Sequence, residues 1–197
     1  MGSLKNIKSE ILESKRIKEL LHNDKKILNL INDVATKCVD AYKSNKKIIV
    51  AGNGGSAADA QHFVGELVSR FNFDRPGLHA IALTTDTSVL TSIGNDYGFS
   101  QVFSRQIQEI SKSEDIFFAI STSGNSKNII NAIKEAKKQN VTVIGLTGIE
   151  GGLMKNLCDY CICVPSNETP RIQESHLMIE HIICSIIESE LFSNMVQ

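Results

Sequence analysis

Residues 48–71 read IIVAGNGGSAADAQHFVGELVSRF. The apolar run Ile48–Ala51 has the length of a buried strand, Gly52-Asn53-Gly54-Gly55 is a tight turn, and Ser56 opens a helical segment. A strand, a glycine turn and a helix N-terminus in that order turn backbone N–H groups and the positive end of a helix dipole toward an anion. On the helix that follows, His62 and Glu66 are four residues apart and share one face. An anion cradle and an acid/base or metal pair therefore fall within a few turns of each other.

The same alternation continues outward from this stretch. Strands are predicted over 48–51, 78–83, 115–120, 141–146 and 160–164, and helices over 57–70, 88–93, 99–110, 127–139 and 171–192. Unbroken apolar strands such as Ile116-Phe-Phe-Ala-Ile120 fit a parallel sheet covered on both faces. The pattern predicts a doubly wound α/β three-layer sandwich with a five-stranded parallel sheet. Upstream, residues 4–44 read as two helices broken near His22-Asn23-Asp24, with Asn23 or Asp24 able to cap the second. Ile27, Leu30, Ile31, Val34, Cys38 and Tyr42 recur at helical spacing, a stripe that suits either the chain's own core or another subunit. With no internal repeat or linker, residues 1–197 read as one domain.

In open parallel sheets, ligands bind beyond the carboxyl ends of the strands. The polar loops fall there. After the third strand, Ser121-Thr122-Ser123-Gly124-Asn125-Ser126 brings four hydroxyls to a helix N-terminus, a chemistry that suits a phosphate; a serine cap and a turn would need only one or two of these residues. Gly52–Ala57 formally fits the dinucleotide fingerprint, but the second strand ends Leu83-Thr84-Thr85, and Asp86 comes too late to hold a ribose, so NAD is not expected.

His181 lies in Leu177-Met-Ile-Glu-His-Ile-Ile-Cys184, a helix apolar enough to be buried, where an imidazole needs a partner. Gln173, Leu177 and His181 follow i, i+4, i+8 spacing, so Gln173 and His181 can face one cleft. A core histidine is the alternative for His181, and a solvated pair the alternative for His62 and Glu66. His22, His79 and His176 read as structural or surface residues.

Composition narrows the function classes. Of 197 residues, 42% are apolar and 22% charged, and the net charge of −1 speaks against a nucleic-acid partner. Met1–Glu10 is polar, without the apolar core of a secretory signal, and 177–187 is too short to span a bilayer. Five cysteines, an odd number, fit a reducing cytoplasm. Cys158, Cys161 and Cys163 form C-x-x-C-x-C, but no second Cys/His cluster lies nearby; they are expected to be core thiols, not zinc ligands.

Taken together, Gly52-Asn-Gly-Gly-Ser56, Gln61-His-Phe63 with Glu66, Arg75-Pro76, Gly94-Asn-Asp-Tyr-Gly98, Ile120-Ser-Thr-Ser-Gly-Asn-Ser126, Leu146-Thr-Gly148 and Arg171-Ile-Gln-Glu174 resemble the sugar-isomerase (SIS) domain family, most closely its phosphoheptose isomerase branch, over nearly the whole chain. The resemblance implies an aldose–ketose isomerase acting on sedoheptulose 7-phosphate. It implies a sugar-phosphate site lined by Asn53, Gly54, Gly55, Ser56, Glu66, Asn95, Asp96, Ser121, Thr122, Ser123, Ser126 and Gln173, with Glu66 and His181 as the acid/base pair. It further implies zinc held by His62, Glu66, Gln173 and His181, and a homotetramer with sites at subunit boundaries, residues 1–44 serving in its contacts. Some relatives carry an aspartate where this chain has Pro170. Two alternatives sit within the family. A non-catalytic SIS protein that binds a replication-initiator partner lacks counterparts of Glu66 and His181, which this chain has. Isomerases of other sugar phosphates, such as arabinose 5-phosphate, usually carry extra domains.

Overall fold

The computed structural model describes residues 2–195; residues 1, 196 and 197 of the expected 1–197 unit lie outside the described residues. Two helices lead the chain, α1 (Gly2–Asn23) and α2 (Lys25–Lys43). The break between them is Asp24, whose carboxylate accepts from the Lys26 and Ile27 N–H groups and so caps α2. There follow β1 (Ile48–Ala51), α3 (Gly55–Val68), β2 (Ala80–Ala82), α4 (Thr87–Asp96), α5 (Ser104–Ile110), β3 (Ile116–Ile120), α6 (Lys127–Lys138), β4 (Thr142–Thr147), α7 (Met154–Leu157), β5 (Tyr160–Cys163) and α8 (Thr169–Phe192).

The five strands pair in parallel in the order β2-β1-β3-β4-β5. Because side chains alternate across a strand, each face of the sheet builds its own core. Ile48, Val50, Phe118, Ile144 and Leu146 pack with α2, α3 and α8, joined by Ile17 and Leu21 of α1. Ile49, Phe117, Ala119 and Val143 pack with α5 and α6. This is the expected three-layer sandwich with its N-terminal helical pair. At the N-terminal ends of the strands, Asp115 accepts from the Lys47 N–H and Lys47 Nζ, pinning β1 beside β3.

Three expectations need adjusting. The second strand, expected over 78–83, is only three residues long, Ala80–Ala82; before it, the Leu78 N–H is taken by the Leu67 carbonyl at the end of α3. The helix expected over 99–110 is split into a 3₁₀ turn, Phe99–Gln101, and α5, with Val102 and Phe103 both buried at the joint. Cys158, Cys161 and Cys163 are half-buried edge thiols, not fully buried ones. Hydrogen bonding with Cys158, and burial with it, pushes the Cys161 thiol up to about 12.

Candidate active site

The order β2-β1-β3 reverses direction between β1 and β3, so the crevice at their carboxyl ends is the topological switch point. The glycine turn after β1 and the hydroxyl loop after β3 flank it. Gly54, at φ +57, takes the left-handed turn that starts α3. Gly55 lets Gln173 of α8 lie on the turn: a Cβ there would come within 2.3 Å of the Gln173 Nε2. Ser56 is buried and its N–H donates to the Asn53 carbonyl.

In the hydroxyl loop, Ser126 is the N-cap of α6, yet its side chain makes no capping bond; it meets the Ser121 hydroxyl at 2.9 Å instead. The first turn of α6 is thus not capped by its own serine, which suits it to an anion. Ser123 Oγ lies 3.5 Å from Ser121 Oγ and accepts from the Asn125 N–H. The two loops are tied together. Asn53 Nδ2 donates to Asn128 Oδ1 at 3.0 Å, and Asn128 Nδ2 donates back to Asn53 Oδ1 at 2.8 Å.

Two turns along α3, His62 and Glu66 meet His181 of α8. The two imidazole Nε2 atoms stand 2.8 Å apart, and His62 Nε2 lies 3.2 Å from Glu66 Oε1. The Phe71 ring packs 5.4 Å from that of His181. His62 is exposed and the other two are half-buried, so the cluster opens to solvent. His181 was expected to be buried; the fully buried histidine of α8 is His176, whose ring nitrogen Nε2 lies 3.2 Å from the Thr147 carbonyl. The turn of the helix decides this, since His176 faces the sheet while His181 faces α3.

Groups that local sequence reading missed hold this arrangement. Arg75 is buried where α3 ends; it donates to the Glu66, Leu67 and Ser69 carbonyls and to Glu188 of α8 at 3.0 Å. Glu188 also accepts the Phe71 and Asn72 N–H groups. Burial alone would raise the Glu188 carboxyl; these donors outweigh it and hold it below the usual carboxylate range. Glu180, fully buried between the helices, has neither oxygen hydrogen-bonded, and burial with the nearby Asp59 charge pushes its carboxyl well up. Arg75-Pro76 was visible as a motif; the partners of Arg75, more than a hundred residues on, left no local signal.

The SIS domain profile matches residues 14–148. The phosphoheptose isomerase of Aneurinibacillus thermoaerophilus is 58% identical over 188 residues, covering 95% of each chain. Phosphoheptose isomerase 2 of Campylobacter jejuni is 55% identical over 186 residues, covering 94% of this chain and 92% of that one. Among solved structures, a phosphoheptose isomerase from Francisella tularensis superposes with a TM-score of 0.92 at 39% identity, over 96% of this chain and all of that one. The chain belongs to the phosphoheptose isomerases of the SIS-domain family.

The structure distributes the residues that family implies unevenly. Asn53, Gly54, Gly55 and Ser56 sit on one loop of the crevice, and Ser121, Thr122, Ser123 and Ser126 on the other. Glu66 and His181 meet on the two helices beside it. Gln173 lies against Gly55, about 12 Å along α8 from His181 by helical rise, so within one chain it sits on the glycine turn. Asn95 and Asp96 are exposed at the end of α4 and hydrogen-bond each other. Pro170 occupies the first turn of α8, where no intrahelical N–H is required.

The donor set of the implied phosphoheptose isomerase metal is present. His62 Nε2, His181 Nε2 and a Glu66 carboxylate oxygen all lie within 4.8 Å of one another. Two imidazoles and a carboxylate are the protein ligands of one class of catalytic zinc site, which keeps a further position open.

Proposed function

We propose that this chain isomerises sedoheptulose 7-phosphate to glycero-manno-heptose 7-phosphate through an enediol(ate), the first step of nucleotide-activated heptose biosynthesis. The observation that carries the reading is the convergence of Glu66 and His181, from α3 and α8, beside a crevice with a helix N-terminus that its own N-cap serine leaves unbonded. It is supported by the relatives at more than half identity that bear the phosphoheptose isomerase name.

The Ser121–Ser126 loop grips the C7 phosphate, so binding energy remote from the reacting carbons places C1 and C2. Asn53, Gly54, Gly55, Ser56 and Gln173 line the sugar. Glu66 takes a proton from C1 while the C2 carbonyl oxygen gains one, giving the enediol. The C1 hydroxyl then gives up its proton and C2 receives one, leaving the aldehyde at C1. His181 moves the proton between the two oxygens. Each such transfer is typically worth ~10²–10⁴ in rate. Zinc held by His62, Glu66 and His181, with Gln173 as the implied fourth ligand, would supply Lewis acidity toward the carbonyl.

We take the working form to be a cytoplasmic homotetramer. Among the described residues no helix is long and apolar enough to cross a membrane. Leu4, Ile7, Ile11 and Leu12 of α1 are exposed apolar side chains, consistent with residues 1–44 meeting another subunit. A groove of about 440 Å³ beside His181, lined by Phe71, Leu177, Met178 and Ile182, suits a site completed at a subunit boundary, where the exposed Asn95 and Asp96 would serve. The test is loss of sedoheptulose 7-phosphate with and without a chelator, and by Glu66→Gln and His181→Asn variants of metal-depleted protein. Near wild-type turnover by either variant would remove the acid/base assignment.

A further inference from the structure

Asn128 is assigned to neither substrate nor metal, yet with Asn53 it ties the glycine turn to the N-terminus of α6. It sits in the first turn of α6 and is only 4% exposed. Its oxygen accepts from Asn53 Nδ2 and from the Ile129 N–H, both at 3.0 Å, and its nitrogen donates to Asn53 Oδ1 at 2.8 Å. The pair is a closed amide–amide ring spanning 75 residues of sequence. The Asn53 amide oxygen and nitrogen each give one bond to Asn128, leaving one lone pair and one N–H, so the ring fixes the plane and direction of the group before any ligand arrives.

We infer that Asn128 is a positioning residue for substrate binding: it locks the glycine turn after β1 to the hydroxyl loop after β3, and Asn53 meets the substrate through its backbone while its side chain serves the lock. The inference rests on the reading of the hydroxyl loop as the phosphate grip. The chemistry favours it over plain packing. Two loops that hold opposite parts of one ligand lose affinity when their spacing fluctuates, because the ligand must then order them on binding. An amide ring is suited to this task. It fixes distance and orientation together and places no net charge near a phosphate.

The experiment is a double-mutant cycle on the full-length enzyme, Asn53→Ala, Asn128→Ala and both, assayed with sedoheptulose 7-phosphate. Each single variant is expected to raise KM about tenfold, the worth of one or two net hydrogen bonds, with kcat within about threefold of wild type. The double variant is expected to match the worse single one. A double variant whose losses multiply, or Asn53→Ala far worse than Asn128→Ala, overturns the inference, because Asn53 would then touch substrate through its own amide. A fall in kcat at constant KM, or no change in either, overturns it too.

Should Asn128→Ala fail to fold, Asn128→Asp keeps the shape but opposes two acceptors across the ring. Its KM, relative to wild type, is expected to be raised at pH 8 and to recover as the pH falls toward 5, where a protonated acid donates as the amide did. A ratio that does not move with pH counts against the lock. Ser123→Ala separates the two readings. If it leaves KM unaltered, the phosphate grip is wrong; if it raises KM while the Asn128 variants do not, only the lock is wrong.

Discussion

The imidazole Nε2 atoms of His62 and His181 stand 2.8 Å apart although 119 residues separate them in the chain. Two such nitrogens at this distance share a proton, and with Glu66 Oε1 beside His62 they form a set of three donors within reach of one metal ion. Dialysed protein is therefore expected to take up a single Zn²⁺ or Co²⁺ per chain, read by calorimetry or by the visible spectrum of Co²⁺. His62→Ala and His181→Ala should each weaken binding by more than the ~10–100-fold typical of losing an outer-shell partner. Unchanged affinity in the His181 variant would contradict the assignment.

Glu66→Gln keeps the size and hydrogen-bonding reach of the side chain but removes the base. Its kcat is expected to fall ~10²–10⁴-fold with its melting temperature within a few degrees of wild type. A loss below tenfold in steady-state turnover would show that another group takes the proton from carbon.

The Arg75–Glu188 pair is 1% exposed at both side chains and carries the main-chain bonds that end α3. Truncating one partner leaves the other charged and buried. Glu188→Ala is therefore expected to cost roughly 3–5 kcal/mol in denaturant unfolding. Arg75→Lys should recover little of the stability, since an ammonium cannot reproduce a planar fork that reaches several carbonyls at once. Equal stability of Arg75→Lys and wild type would show that charge alone suffices.

His176 and Glu180 set opposite slopes of stability with pH. Burial lowers the His176 imidazole from 6.5 to about 4, so below pH 6.5 the unfolded chain binds a proton that the folded chain refuses. Stability is lost as pH falls from 6.5 toward 4, by roughly 3 kcal/mol at most, and His176→Asn should flatten that limb. Glu180 is raised from 4.5, so the folded chain keeps a proton that the unfolded chain releases, and stability is lost as pH rises from 4.5 toward the folded value. Glu180→Gln should then melt higher than wild type at pH 8, with the gap closing near pH 5. A gap that widens toward pH 5 would reverse the sign of the argument.

Much of this molecule is legible in its sequence, because the signals are local. Strand and helix periods, the Asp24 cap, the glycine turn and the hydroxyl loop each lie within a few residues, where hydrophobic spacing and backbone geometry speak directly. Those signals place the crevice, and the i, i+4 spacing of His62 and Glu66 puts them on one face of α3. The pairing of Glu66 with His181 was implied only by the family resemblance, and tertiary structure decided how the distant side chains meet. It turned His181 toward α3 and His176 toward the sheet, set Glu188 under Arg75, and closed the Asn53–Asn128 ring across the switch point. The physical reason is that a periodicity says which face of an element is apolar. Which residue lies opposite depends on how two elements pack, a property of the pair that neither segment carries by itself.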